Sequence, residues 1–291
     1  MTIQLRDYQS AAIDKIMWSL KLDGNDLLSL PTGAGKSIVV AELAKRIDRE
    51  ILILQPSKEI LEQNMAKLLL YVPPEDIGVF SASMNRKDIA KFTFATIGSV
   101  YKKPELFDHI GLVILDEAHL LNAKNEEGMF TSFLKAIGNP KVIGLTATIY
   151  RNVLSYHLLR GTWENGEMEC KTTLKLINRM KPFFWNRLMF NIDLGTLTNQ
   201  GYLCPLRYEH RSFLKQEEMR FNKSESDFDL IDLEKKIATK HEQIVSAILD
   251  CQRTYKSILT FCSSVEQAER FARSIPGAEV VSAKTKPKER S

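Results

Sequence analysis

The chain has 291 residues, 44% of them hydrophobic, with 40 Lys and Arg against 36 Asp and Glu for a formal net charge of +4. That length suits two domains with ordinary cores, and the mild basicity permits a nucleic-acid partner without requiring one. No apolar run approaches the roughly 18 residues of a membrane span, the N-terminus lacks a secretory h-region, and four scattered cysteines without Cys-x-x-Cys spacing point to reduced thiols in the cytoplasm rather than disulfides or zinc.

Leu5-Arg6-Asp7-Tyr8-Gln9 opens the chain's first patterned segment. Ala12, Ile13, Ile16, Met17 and Leu20 follow at helical spacing, which predicts a packed amphipathic helix. Gln9 is either a surface residue at its start or, with donor and acceptor in one amide, a reader of an adenine edge. A short apolar strand, 27–30, then runs into Pro31-Thr32-Gly33-Ala34-Gly35-Lys36-Ser37, and 36–47 reads as a helix. Strand, glycine loop and helix are the context a phosphate-binding loop requires. Gly33 and Gly35 let successive N–H groups curl inward at a helix N-terminus, where amides and dipole favour an anion. Lys36 can reach the β- and γ-phosphates, and the Ser37 hydroxyl is placed to ligate magnesium. The generic pattern has a glycine where Leu30 stands, so the loop is a variant.

Further along, 51–54, 77–80, 92–96, 112–115 and 142–145 read as short buried strands, with helical patterns between most of them, 59–70 the clearest. This alternation predicts an α/β fold with a largely parallel sheet covered on both faces. Ligands then belong at the carboxyl ends of the strands, where the unusual residues fall. Leu54 runs into Gln55-Pro56-Ser57-Lys58, Leu115 into Asp116-Glu117-Ala118-His119, and Leu145 into Thr146-Ala147-Thr148. With the phosphate loop, four polar motifs share one sheet edge.

Asp116 and Glu117 suit distinct tasks. Asp116 can hold magnesium opposite Ser37, directly or through water, and Glu117 can orient an attacking water. His119, with no second ligand at metal spacing, is not a metal ligand; it can bridge the nucleotide site to Thr146 or Thr148.

The remainder has weaker signals. We expect 1–150 to form the first domain, 151–205 an accessory, mostly helical insertion, 206–240 a charge-rich linker with a helix, and 241–291 the start of a second α/β domain. Within the insertion lies the run Phe183-Phe184-Trp185, read as core rather than a base-stacking platform, together with Trp163. In the last segment, helices to 251 and over 265–275 alternate with strands at 257–261 and 278–282.

In this order, Leu5-Arg6-x-Tyr8-Gln9, Pro31 to Ser37, Gln55-Pro56-Ser57, Thr96-Ile97-Gly98-Ser99, Asp116-Glu117-Ala118-His119 and Thr146-Ala147-Thr148 resemble the superfamily-two DEAD/DEAH-box helicases over residues 1 to about 151. Leu30 to Ser37, Gly144 to Thr148, Gln200 to Pro205, Ile258 to Cys262 and Val265 to Glu269 make the RadD-type group the nearest likeness. The resemblance implies a RecA-like P-loop domain followed by an incomplete second RecA-like domain. ATP with magnesium would lie between them and a nucleic-acid strand across both. It further implies adenine recognition by Gln9 with Arg6, and phosphate binding along residues 31–37 with Lys36 and Ser37. Hydrolysis falls to Asp116 and Glu117 beside His119, and coupling of hydrolysis to domain movement to Thr146 and Thr148. Pro56, Ser57, Lys58, Thr96, Gly98 and Ser99 would touch the nucleic-acid backbone, a sequence-independent and salt-sensitive mode. The partners implied are single-stranded or branched DNA and a single-strand-binding or repair protein, with no membrane.

Two departures stand out. Ile149 replaces the family's proline after Thr-Ala-Thr. The sequence also stops before the family's arginine finger, worth about 10³–10⁵ in rate in related sites, so this polypeptide is expected to bind ATP and turn it over slowly. The function expected is an ATP-dependent helicase or translocase of DNA repair, recombination or replication. The alternatives are a P-loop kinase or transporter ATPase, which Asp-Glu-Ala-His followed by Thr-Ala-Thr argues against, and a nucleic-acid binder whose ATP site is only a switch.

Overall fold

The computed structural model describes residues 4–122, 125, 127–160, 167–215, 218–220 and 228–285. Contacts divide the chain into two compact units, Met1–Val153 with Thr172–Leu206, and Leu154–Lys171 with Arg207–Ser291.

The first unit is built on an eight-stranded sheet. Its strands are β1 (Asn25–Ser29), β2 (Ile51–Gln55), β3 (Ile77–Ser81), β4 (Arg86–Lys87), β5 (Phe92–Thr96), β6 (Leu112–Asp116), β7 (Lys141–Thr146) and, later in the chain, β10 (Trp185–Asn191). The order across the sheet is β10-β1-β7-β6-β2-β5-β3-β4. Every pairing is parallel except β3 with β4, so the fold is α/β with a mostly parallel sheet. Parallel strands need crossovers, supplied here by α2 (Lys36–Arg46), α3 (Lys58–Leu68), the short α4 (Ile97–Val100) and α5 (Met129–Ala136), with α1 (Asp7–Ser19) leading in.

Alternation along each strand sorts the core into two layers. Ile51, Ile53, Leu112 and Ile114 pack with Val39, Leu43, Leu61 and Leu68 of α2 and α3. Leu52, Leu54, Val113 and Leu115 pack with Phe107 and Phe133 on the other face. Burial on both faces is why these strands read as unbroken apolar runs. Start signals match the chemistry: the Ser57 hydroxyl accepts the Ile60 N–H at 3.4 Å to cap α3, and Gln9 Oε1 accepts the Arg6 N–H at 3.0 Å at the head of α1.

Residues 151–205 differ from the mostly helical insertion expected. β8 (Tyr150–Arg160) and β9 (Glu167–Leu176) pair into a two-stranded sheet, β10 joins the main sheet beside β1, and among the described residues helix is confined to a single 3-10 turn (Ile177–Arg179) and α6 (Leu194–Asn199). The β10 segment, Trp-Asn-Arg-Leu-Met-Phe-Asn, gives neither clean alternation nor a solid apolar run. What holds it is tertiary: β1 offers a free parallel edge, and Trp185 seats in the core at 3% exposure. Phe184 meets Trp185 edge-on at 4.8 Å, whereas Phe183 is exposed. Two of the three aromatics therefore serve packing. Trp163, and Gln216 and Glu217 of the linker, lie outside the described residues.

In the second unit, α7 (Leu230–Thr239), α8 (His241–Thr254) and α9 (Val265–Ser274) carry a small core of Val245, Phe271 and Ile275 with Ile237, Ile244, Ile248, Leu249 and Cys262. Asp229 and Ser264 cap α7 and α9. The strands expected at 257–261 and 278–282 are absent from the described residues. A strand needs a ladder partner for its backbone groups; here Leu259 and Phe261 are 77% and 89% exposed.

Candidate active site

The carboxyl edge of the sheet gathers the polar motifs in a fixed order. Across β1, β7, β6, β2 and β5 the strand ends present the glycine loop, Thr146, Asp116-Glu117, Pro56-Ser57-Lys58 and Thr96 to Ser99.

Gly33 and Gly35 have φ of +83° and +81°, a region where side chains cost about 1–2 kcal/mol. Both are crowded as well. A Cβ on Gly33 would stand 2.8 Å from Leu203 Cδ2, and one on Gly35 2.5 Å from Gln9 Nε2. Between them the Ala34 carbonyl accepts from Tyr8 Oη and from Gln9 Nε2, both at 2.9 Å. Gln9 is therefore a buried strut under the loop, at 2% exposure, and not a surface residue. Arg6 donates to Tyr8 Oη at 3.0 Å and lies over the Tyr202 ring at 4.4 Å, and Tyr8 meets Tyr202 edge-on at 5.5 Å. Pro31 and Ala34 close the loop's own turn, with the Ala34 N–H on the Pro31 carbonyl at 3.1 Å, while Thr32 is exposed.

Lys36 Nζ lies 3.5 Å from both Glu117 Oε1 and the Leu30 carbonyl. Glu117 occupies the left-handed region, φ 50° and ψ 50°, an unusual conformation for a residue with a side chain. Its carboxylate reaches Lys36 on one side and His119 Nδ1, 3.3 Å from Oε2, on the other. His119 Nδ1 also lies 2.9 Å from Thr146 Oγ1. The Thr146 hydroxyl donates to the Thr148 carbonyl at 3.1 Å and accepts the Thr148 N–H at 3.0 Å. His119 Nδ1 thus stands between the Thr146 hydroxyl and the Glu117 carboxylate.

Asp116 is 6% exposed. Burial pushes its carboxyl above the ordinary range and Glu117 adds to this, against the pull of the Lys36 ammonium, the Glu117 N–H and the Asn64 amide. Ser37 and Asp116 are bridged by Asn64 of α3. The Ser37 hydroxyl donates to Asn64 Oδ1 at 2.5 Å, and Asn64 Nδ2 donates to Asp116 Oδ2 at 3.1 Å. One register step past the Leu54–Leu115 pair, Gln55 stands alongside Asp116, on the same face by alternation. Its Oε1 is buried with no hydrogen-bond partner.

These donors are a hydroxyl, a carboxylate and amide carbonyls, the hard oxygens that suit magnesium. Among the described residues no group of three His, Cys, Asp or Glu side chains forms a softer or carboxylate-rich metal site. An orphaned buried acceptor beside Asp116 fits a hydrated ion held there.

The candidate nucleic-acid residues lie on neighbouring strand ends, since β2 and β5 pair with Gln55 opposite Thr96. Their hydroxyls have local duties: Ser57 caps α3, and Ser99 Oγ lies 2.9 Å from Thr96 Oγ1 and accepts the Ala82 N–H at 3.0 Å. Lys58 is paired with Glu62 at 3.7 Å on the surface, and Gly98 is exposed with open space about it.

Three contributors were not singled out from the sequence. Asn64 sits among polar residues on an amphipathic helix, with nothing to distinguish it from a surface position. Tyr202 lies far along the chain from Arg6. Arg151 donates to the His119 and Leu121 carbonyls, and burial lowers its pKa. Its place just past Thr146-Ala147-Thr148 was the available signal.

The chain is 31% identical over 151 residues to protein QP509L of African swine fever virus (isolate Pig/Kenya/KEN-50/1950), named as an ATP-dependent RNA helicase, covering 50% of this chain and 29% of the viral one. It is 28% identical over 165 residues to the general transcription and DNA repair factor IIH helicase/translocase subunit XPB of Danio rerio, covering 52% and 20%. The chain thus spans under a third of either relative's length. The UvsW helicase of bacteriophage T4 superposes with a TM-score of 0.42 at 24% identity, over 50% of this chain and 54% of that one. Residues 2–151 match the family described as type III restriction enzyme, res subunit, and the chain belongs to that family.

Proposed function

We propose that this chain carries the ATP-hydrolysing part of a nucleic-acid helicase or translocase, with DNA as its track, in repair, recombination or replication, and that it stands nearest the RadD-type group. The observation that carries this reading is the unbroken line of side chains from Lys36 through Glu117 and His119 to Thr146. It joins the phosphate loop to the neighbouring strand end, as a coupled nucleotide site needs. The family's restriction-enzyme description and XPB's name favour DNA; the viral relative's name favours RNA.

The backbone amides of residues 33–37 receive the phosphates at the head of α2. Lys36 exchanges its hold on Leu30 and Glu117 for the β- and γ-phosphates. Glu117, freed of that ion pair, accepts a proton from the attacking water and orients it. His119 keeps the Glu117 carboxylate in place from its other side. Magnesium, held by Ser37 and Asp116, would withdraw charge from the phosphate oxygens. Arg6 presents the adenine side, with Tyr202 as a neighbouring ring, while Gln9, its amide engaged by the Arg6 N–H and the Ala34 carbonyl, braces the loop from beneath. Pro56 to Lys58 and Thr96 to Ser99 meet a nucleic-acid backbone along the same edge, and Thr146 and Thr148 report the state of the nucleotide.

The test is ATP turnover with single-stranded DNA, duplex DNA and RNA, for the wild type and Glu117→Gln. We expect turnover stimulated most by DNA. Glu117→Gln should keep nucleotide binding and lose about 10²–10⁴ in rate, the usual worth of a positioned general base. Stimulation by RNA alone would reverse the choice of track. Binding without turnover in the wild type would make the site a switch. Full turnover in Glu117→Gln would remove the role given to that residue.

A further inference from the structure

Ser37 and Asp116 are tied to each other through one side chain on a different element. A hydroxyl has one proton and two acceptor lone pairs. Ser37 gives its proton to Asn64 Oδ1, which leaves its lone pairs for a cation. One already faces a positive charge: Lys67 Nζ lies 3.4 Å from Ser37 Oγ. The same Asn64 amide fixes one oxygen of Asp116, and the Glu117 N–H holds the other at 3.0 Å. Asn64 therefore sets the direction of both candidate ligands at once. The unpartnered Gln55 Oε1 beside Asp116 marks the same pocket as one that takes a further polar group.

We propose that Asn64 is a positioning residue for the divalent ion of the nucleotide site, acting through the Ser37 hydroxyl and the Asp116 carboxylate. The inference rests on the reading of residues 31–37 as an ATP site and deepens it. Asn64 does not touch nucleotide in this scheme. Its amide would hold two ligands in place for magnesium, a small ion that tolerates little deviation from octahedral coordination. Partners that orient metal ligands typically contribute 10–100-fold to metal affinity.

The experiment is fluorescent-ADP binding to the 291-residue chain, titrated with magnesium chloride, for the wild type, Asn64→Leu and Asn64→Ala. Leucine keeps the bulk and removes both hydrogen bonds. Alanine, the best helix former, guards against a misfit of the leucine. In both variants the magnesium concentration at half-effect should rise about 10–100-fold, while ADP affinity in EDTA stays within about twofold of wild type. An unchanged midpoint in either variant overturns the inference, because the ligands are then oriented without Asn64. A lower midpoint also overturns it, because the amide then competes with the ion. A wild type that binds ADP with no response to magnesium overturns the ion site itself. A wild type that binds no ADP overturns the reading beneath it.

Discussion

His119 Nδ1 stands 2.9 Å from Thr146 Oγ1, and with that contact the loop after β6 is tied to the end of β7. Thr146 is fully buried, and its hydroxyl serves three partners at once: His119, the Thr148 carbonyl and the Thr148 N–H. On the proposed reading, a movement of Glu117 on nucleotide binding would be felt at Thr148, which is exposed. Thr146→Val keeps the shape and removes the hydroxyl. Coupling free energies of 1–3 kcal/mol correspond to about 5–150-fold. We expect the ratio of turnover with and without nucleic acid to fall by about tenfold or more in Thr146→Val, with nucleotide still bound. A ratio equal to wild type would show that this hydroxyl carries no coupling.

The turn at Gly35 makes a second expectation. At φ +81° an alanine costs about 1–2 kcal/mol, and its Cβ would also stand 2.5 Å from Gln9 Nε2. The collision pushes Gln9 off the Ala34 carbonyl and opens the strut beneath the loop. Gly201 is the control, with φ +74° and open space around it. Gly201→Ala should show the backbone cost alone in urea unfolding. Gly35→Ala should show that cost together with a loss of nucleotide affinity. Equal nucleotide affinity in the two variants would dismiss Gln9 as a support of the loop.

The first unit was legible because its signals are local. Buried parallel strands such as Ile51–Gln55 and Leu112–Asp116 are apolar throughout, and the motifs follow them directly. β10 was not legible, because Trp185 and Arg187 are explained by partners more than 150 residues away, Asn25 and Asp26 on β1. The extended segments near Leu259 and Val281 misled for the opposite reason. Their composition favours strands, but pairing decides whether a strand forms, and no described neighbour pairs with them. The chemistry of the site divides in the same way. Lys36, Ser37, Asp116 and Glu117 sit in contiguous motifs, whereas Asn64 gains its meaning only from packing α3 against α2 and β6.

Asp26 offers a test of what anchors β10 at the opposite end of β1. Its carboxylate is fully buried. It is held by a two-toothed contact from Arg187, at 2.7 and 3.0 Å, by Lys141 at 2.7 Å, and by the Ser19 hydroxyl. Burial alone would raise its pKa; the hydrogen bonds from Arg187, Lys141 and Ser19, with the charge of Lys141, outweigh burial and hold it below 3.8. A carboxyl whose folded pKa lies below its unfolded value stabilises the fold above the unfolded pKa. That contribution is lost as pH falls through the lower, folded value. Removing one partner of a fully buried ion network costs about 3–5 kcal/mol, and about 1–3 kcal/mol here, where the Arg187 and Lys141 side chains, 36% and 13% exposed, can regain water. Asp26→Asn should therefore lower stability in urea at pH 7 by about 1–3 kcal/mol. The gap should begin to narrow as the pH drops below about 3.8 and close only as it falls through the lower, folded value, where wild-type Asp26 itself becomes neutral. A gap that stays constant from pH 7 down to the acid limit would mean that shape at this position, and not the charge, secures β10 to β1.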